Sequence, residues 1–323
     1  MKRAGLALLL TAGLIFSADA VEVDPQLPAY VPTPVGAAVI KSVGSDTMGD
    51  LMRNWASAFS KLNPNVKFEI ESKGSRTAPA ALVDGTSQLG PMSRSMGSEE
   101  YEPFERKYGY HPASFPAAID ALAIYVNKDN PIQCLTIGQL RRIFSTGYGP
   151  GDNISTWGDL GLTGEWASHP IALFGRNALS GTHDVFVEAV LGNTDFKVGV
   201  KERPGSAEVV KAVAADKYAI GYSGIGYMTD QVRAVPLAVA SGSECYDTSP
   251  LSTYSGNYPL ARYLYVYLNK VPNKPLDPPT LEFVKYILSK DGQTETVTSG
   301  FYPITHELRA EGLKALSISD GSQ

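Results

Sequence analysis

Apolar positions along the chain switch repeatedly between a strand period and a helical one. Ala37 to Val43 reads as a strand, and Leu51, Trp55, Phe59 and Leu62 then fall on one face of a helix that Pro64 ends. Val66 to Ile70 alternates as a second strand, ahead of a helix over Ala78 to Val83 stopped near Gly85. Ala117 to Asn127 is nearly all apolar apart from Asp120, which suits a long central strand able to cross between lobes. Ile137 to Phe144, Trp157 to Leu160, Ala207 to Ala214 and Tyr218 to Tyr222 supply further helices and strands. Ile171 to Phe174 is a short buried strand ending at Gly175. Val185, Phe186, Ala189 and Val190 follow at helical spacing with Gly192 as the stop, so Ser180 is the natural N-cap. In Leu260 to Leu268, Tyr263, Tyr265 and Tyr267 alternate with Leu264, Val266 and Leu268, as expected of a return strand, and Leu281 to Ser289 is an amphipathic helix.

Strands alternating with helices over roughly 300 residues predict an α/β chain of two lobes, because one core rarely organises that length. The order of the elements places residues 37–122 and 260–323 in a discontinuous first lobe and 123–259 in a second. Residues 21–36, with Pro25, Pro28, Pro32 and Pro34, form an extended leader.

Residues 1–20 change the picture of where the chain works. Lys2 and Arg3 precede an uncharged run from Ala4 to Phe16, and Ala18-Asp19-Ala20 offers a cleavage site, the pattern of a secretory signal. No later run reaches the ~18 apolar residues of a membrane span. The first cysteine is Cys134, which excludes a lipid anchor near the mature start, so an exported, soluble protein is expected. Without Lys2, Arg3 and Asp19 the totals of 28 basic and 33 acidic residues fall to 26 and 32, a balance unsuited to nucleic acid. Cys134 and Cys245 are either a disulfide, which export permits, or two buried thiols. With His111, His169, His183 and His306 they form no metal-ligand spacing, so neither metal nor cofactor is expected, and nothing requires more than a monomer.

The candidate chemistry lies where strands end. Arg176 to Thr182 brings a guanidinium, two hydroxyls and a helix start together, and Gly181 lets backbone approach closely, which together suit a tetrahedral oxyanion. Gly44-Ser45-Asp46-Thr47, Gly74-Ser75 and Gly90-Pro91-Met92-Ser93-Arg94 repeat the theme. Each turn alone is explained by capping, but four of them at strand ends describe a distributed anion cradle.

These motifs, with the Phe115-Pro116 to Asn127 crossing, resemble the phosphate-binding periplasmic proteins of bacterial high-affinity phosphate ABC transporters. The resemblance covers residues 40 to 225 in order and spacing. It implies a two-lobed type II periplasmic binding protein fold with the ligand in the cleft, and delivery of inorganic phosphate to an inner-membrane permease. It also implies phosphate contacts from Arg176, Ser180, Gly181 and Thr182 on one lobe and Ser45, Thr47, Ser75 and Ser93 on the other. Better-known members carry an acid in the Ser93 region, where it accepts the phosphate proton and so excludes sulfate; this chain has Ser93-Arg94. Asp46 is the first candidate to replace that acid and Asp120 the second. Their alternatives are a helix N-cap and a buried strand-end carboxylate respectively. Arg94 either adds a cation to the anion or pairs with an acid at the rim, and Arg76 is expected in solvent.

Catalysis is disfavoured. Ser180, His183 and Asp184 are neighbours at one helix start and cannot line up as a triad, and Gly221-Tyr222-Ser223-Gly224-Ile225 misses the nucleophile elbow. The remaining alternatives keep the fold and change its use: another oxyanion such as sulfate, molybdate or a phosphonate, or adhesion and signalling at the surface.

Overall fold

The chain is described here from a computed structural model covering residues 21–147 and 152–319. Residues 1–20, where the sequence predicts a secretory signal, lie outside the described residues. Strand β1 (Ala38–Gly44), helix α1 (Gly49–Leu62) and strand β2 (Val66–Ser72) come first, with β1 and β2 parallel from Ala38 opposite Val66 to Gly44 opposite Ser72. Helix α2 (Thr77–Asp84), strand β3 (Leu89–Met92) and helix α3 (Ser98–Tyr108) follow, and β3 lies beside β1. On α1, Leu51, Trp55 and Phe59 are buried as their spacing predicts. Leu62 is instead exposed, because it ends the helix beyond the core.

Strand β4 (Ala113–Asn127) joins the lobes, and every residue from Ala117 onward is buried. Fifteen residues at ~3.3 Å each extend about 50 Å, enough to serve two sheets. After β4 come β5 (Leu135–Thr136), α4 (Ile137–Phe144), β6 (Ala172–Arg176), α5 (Gly181–Phe186), β7 (Lys201–Arg203), α6 (Ser206–Ala215), β8 (Ala219–Gly224), β9 (Val232–Ala234) and β10 (Leu237–Ala238). Helix α5 continues as a π-turn to Leu191 and closes on Gly192 in the left-handed conformation (φ 63°). Helix α7 (Pro250–Tyr254) leads back to strand β11 (Ala261–Leu268), and α8 (Pro278–Ile287), α9 (Lys290–Thr298) and α10 (His306–Ala315) complete the chain.

The sheet runs β2-β1-β3-β11-β4-β8-β6-β7, with β9 also on β4. Along β4 the partner changes from β11, up to Ala121, to β8, from Leu122. At that point the Leu122 N–H donates to the Leu260 carbonyl just ahead of β11. Helices α8 and α9 pack on α1, where the buried Trp55 indole donates to the Gly292 carbonyl at 2.8 Å. The proline-containing leader is strapped down: Leu27 is buried, the Pro28 carbonyl accepts from Lys290 N–H, and Tyr30 N–H donates to Asp291.

Cys134 and Cys245 form a disulfide with their Cα atoms 6.2 Å apart, beside the short parallel pair of β5 and β10. It closes a loop across 111 positions. Replacing both cysteines by serine should lower the unfolding free energy by about 2–5 kcal/mol. An unchanged urea midpoint in the double variant would contradict that expectation.

Candidate functional site

Four strand ends meet between the lobes. Ser45 to Thr47 link β1 to α1, Ser75 lies between β2 and α2, and Ser93 follows β3. Four residues separate Ser93 from α3, so it belongs to an open loop and not to a strand-to-helix turn. From the second lobe, Ser180 to Thr182 link β6 to α5. Ser45, Thr47, Ser75, Ser93, Ser180 and Thr182 are all at least 98 % buried. The Thr47 and Thr182 hydroxyl oxygens are 2.9 Å apart across the cleft, and Ser75 and Ser93 hydroxyls 3.2 Å apart within the first lobe. Ser180 caps α5 as its position predicts, its hydroxyl oxygen accepting from Thr182 N–H at 3.1 Å.

Two glycines make this approach possible. A Cβ on Gly181 would sit 2.4 Å from the Ser75 hydroxyl oxygen and 2.8 Å from that of Ser93. Gly74 has φ +130°, and a Cβ there would be 2.3 Å from the Leu179 carbonyl oxygen of the facing lobe. Next to it, Arg76 N–H donates to that same carbonyl at 3.2 Å, a backbone bond between lobes.

Arg176, at the end of β6, is 1 % exposed. Its Nη1 donates to the Ser206 hydroxyl at 2.7 Å, its Nη2 to the Pro204 carbonyl at 3.1 Å, and it pairs with Asp46 of the other lobe. Its Nε–H is buried with no hydrogen-bond partner among the described residues. Burial pushes the guanidinium down to about 10, which still leaves it charged at neutral pH. Asp46 does not cap its own helix, since the residue before α1 is Met48 and no side chain caps there. Its Oδ2 accepts from Ser206 N–H at 2.9 Å instead, at the N-terminus of α6 across the cleft, where the helix dipole favours an anion. Tyr227 donates to the Asp46 and Thr47 carbonyls at 2.9 and 3.1 Å, which fixes that turn.

Asp120 is fully buried, and its alternative reading as a strand carboxylate satisfied by the protein matches the geometry. Oδ1 accepts from Ile225 N–H at 2.9 Å, and Oδ2 from Arg262 Nε and Nη2 at 2.9 and 2.7 Å. Arg262 Nη2 also reaches the Thr182 hydroxyl oxygen at 2.9 Å. Sequence reading missed Arg262 and Ser206. For Arg262 a signal existed: on the alternating return strand it shares parity with Leu264, Val266 and Leu268, a cation on an apolar face. Ser206 opens a further strand-to-helix turn, β7 to α6, but Lys201–Arg203 is too short and charged to announce a strand.

Arg94 is held by two carboxylates. Its Nη1 and Nη2 grip Glu100 at 2.7 and 2.8 Å, and Nε donates to Asp184 at 2.7 Å, so the rim pairing is the role the structure shows. Arg76, expected in solvent, is half exposed and also donates to Asp184, at 2.8 and 3.2 Å. The reason is shared: Asp184 stands in the first turn of α5 and faces both first-lobe arginines, forming an inter-lobe latch. Burial raises the Asp184 pKa, but hydrogen bonds from His183, Arg76 and Arg94 outweigh it and hold the carboxyl well below the usual range. With the folded pKa depressed, its stabilisation is present above the unfolded value near 3.9 and fades as pH falls through the folded one. Asp184→Asn should therefore cost roughly 1.5–3 kcal/mol equally at pH 8 and pH 5, and less at pH 3. A deficit in the urea midpoint that grows toward acid would refute this.

Among the described residues no group of three or more His, Cys, Asp or Glu is placed to hold a metal ion, and no helix is long and apolar enough to cross a membrane.

Comparison with known proteins gives a consistent family. The PBP superfamily domain matches residues 31–291. The chain is 47% identical over 321 residues to the phosphate-binding protein PstS of Pseudomonas aeruginosa, covering 98% of this chain and 99% of that one. It is 27% identical over 263 residues to PstS of Staphylococcus saprophyticus, covering 80% of this chain and 78% of that one. Among solved structures it is similar to a protein of Clostridium perfringens described as a phosphate ABC transporter substrate-binding protein, with bound phosphate. That match has a TM-score of 0.70 and 26% identity, over 83% of this chain and 100% of that one. The chain thus belongs to the PBP superfamily and, within it, to the family of the PstS phosphate-binding proteins, with the two-lobed type II periplasmic binding protein fold.

Proposed function

We propose that this chain binds inorganic phosphate in the cleft between its lobes, in the periplasm, and delivers it to the permease of an ABC transporter. The observation that carries the reading is the meeting of buried hydroxyls from four strand ends, Thr47 against Thr182 and Ser75 against Ser93, with Gly181 packed on the latter pair. Close kinship to PstS proteins supplies the ligand. Phosphate contacts would come from Ser45, Thr47, Ser75 and Ser93 on one lobe and Arg176, Ser180, Gly181 and Thr182 on the other. Ser45 Oγ and Arg176 Nε support this: both are buried without a hydrogen-bond partner among the described residues, a cost that an anion would remove. The lobes would comprise residues 37–122 with 260–323, and 123–259, a division supported by the exchange of partners along β4. Binding without catalysis is supported by Ser180, whose hydroxyl caps a helix, and His183, whose Nδ1 faces Asp184 at 3.3 Å.

Asp46 is the acceptor for the phosphate proton in this reading. Its two occupied contacts leave lone pairs free, whereas Asp120 takes three donors. Phosphate keeps a proton at neutral pH and sulfate does not, so a carboxylate there rewards the one and repels the other. Phosphate should raise the unfolding temperature of the ligand-stripped protein and equal sulfate should not, by mass action. In Asp46→Asn the gap between the two anions should narrow. Equal stabilisation by both anions in the unaltered protein would replace phosphate by a general oxyanion, and an undiminished gap in Asp46→Asn would remove Asp46 as acceptor.

A further inference from the structure

The pair formed by Arg262 and Asp120 is more than a clasp between β11 and β4. The two residues are direct register partners on the antiparallel strands, with side chains 7 % and 0 % exposed. A pair that only neutralised itself would place both ends of the guanidinium on protein. Here Nε and Nη2 go to one carboxylate oxygen, Nη2 continues to the Thr182 hydroxyl, and Nη1 is buried with no partner among the described residues. A buried donor left unpaired is costly, and the adjoining Nη2 touches a hydroxyl of the cleft. Thr182 is hydrogen-bonded to Thr47, so Arg262 reaches both lobes through two contacts.

The hydrogens can be counted. Thr47 and Thr182 hydroxyls carry two between them; one lies between their oxygens and one is left to donate. Nη2 fills a lone pair of Thr182 with a charged donor, so this end of the cleft offers hydrogen and takes little. It suits an oxyanion oxygen that bears no proton.

We propose that Arg262 is a second anion-binding guanidinium of the cleft. Asp120 holds its plane, Nη2 sets the Thr182 hydroxyl as a donor, and Nη1 donates to an unprotonated oxygen of the bound phosphate. The inference rests on the phosphate reading above and adds to it. Each lobe face then meets the anion with a guanidinium that carries its own carboxylate: Arg176 with Asp46, and Arg262 with Asp120.

The test compares Arg262→Gln with the double variant Asp120→Asn/Arg262→Gln, each titrated with inorganic phosphate by calorimetry and unfolded thermally without ligand. Arg262→Gln alone buries an uncompensated Asp120 and can fail by unfolding. The double variant removes both charges and keeps a neutral pair. Its unfolding temperature is expected near that of the unaltered protein, with phosphate affinity still reduced at least ten-fold. Recovery of full affinity in the double variant would show that Arg262 serves only to neutralise Asp120, and would overturn the proposal while leaving phosphate binding intact. If the unaltered protein itself binds no phosphate in the same titration, the phosphate reading fails and this inference falls with it.

Discussion

Arg176→Ala should cost at least about 100-fold in phosphate affinity, the largest effect expected of any single side chain in the cleft. Two losses add. The anion loses a charge-assisted donor in a site shielded from water, worth roughly 1.5–3 kcal/mol. Asp46, which pairs with Arg176 across the lobes, would keep only Ser206 N–H and stand as a negative charge beside the incoming anion. Removing one partner of a buried pair is costly in its own right, about 3–5 kcal/mol, so the variant is also expected to unfold at lower temperature. The double variant Arg176→Ala/Asp46→Asn separates the two: stability should return in large part while affinity stays low. Affinity retained within a factor of three in Arg176→Ala would remove this residue from the site.

Gly181→Ala is the second large effect and acts by shape. The added methyl would lie 2.4 Å from the Ser75 hydroxyl oxygen and 2.9 Å from the Ser75 Cβ, so some part of the structure must yield. Gly181 is on one lobe and Ser75 and Ser93 on the other, and the softest response is for the lobes to part. Overpacking of this kind costs about 1–3 kcal/mol, which appears here as a penalty on closure alone. Phosphate affinity should fall about 10- to 100-fold with little change in the unfolding temperature of the ligand-free protein. Small-angle scattering at saturating phosphate should report a larger radius of gyration than for the unaltered chain. Unchanged affinity would mean that the lobes meet in another register when phosphate is bound.

Legibility in the sequence followed the reach of each signal. Hydroxyls at strand ends were readable because turn chemistry is local: Ser180 caps its helix as its neighbours predict, and Gly181 is where close approach is needed. Charged partners were not, because they come from distant segments. Asp46 looked like a cap for α1 and is bonded to the start of α6, 160 positions away. Arg94 and Arg76 both looked uncommitted until α5 brought Asp184 between them, 90 and 108 positions on. Arg262 left a trace, a cation on the buried face of an alternating strand, but its meaning depended on the register that sets it opposite Asp120. The fold itself was legible because strand and helix periods alternate cleanly, and the long β4 announces that one strand must serve two sheets.

The most direct test of the account is calorimetric titration of the mature, ligand-stripped protein with phosphate and, separately, with sulfate, at pH 5 and pH 8. Tight one-to-one binding of phosphate at both values, with no heat from sulfate, is the predicted result, since a cleft carboxylate rewards a protonated anion. Sulfate binding as tight as phosphate would contradict that central claim, because no carboxylate acceptor would then be selecting the ligand.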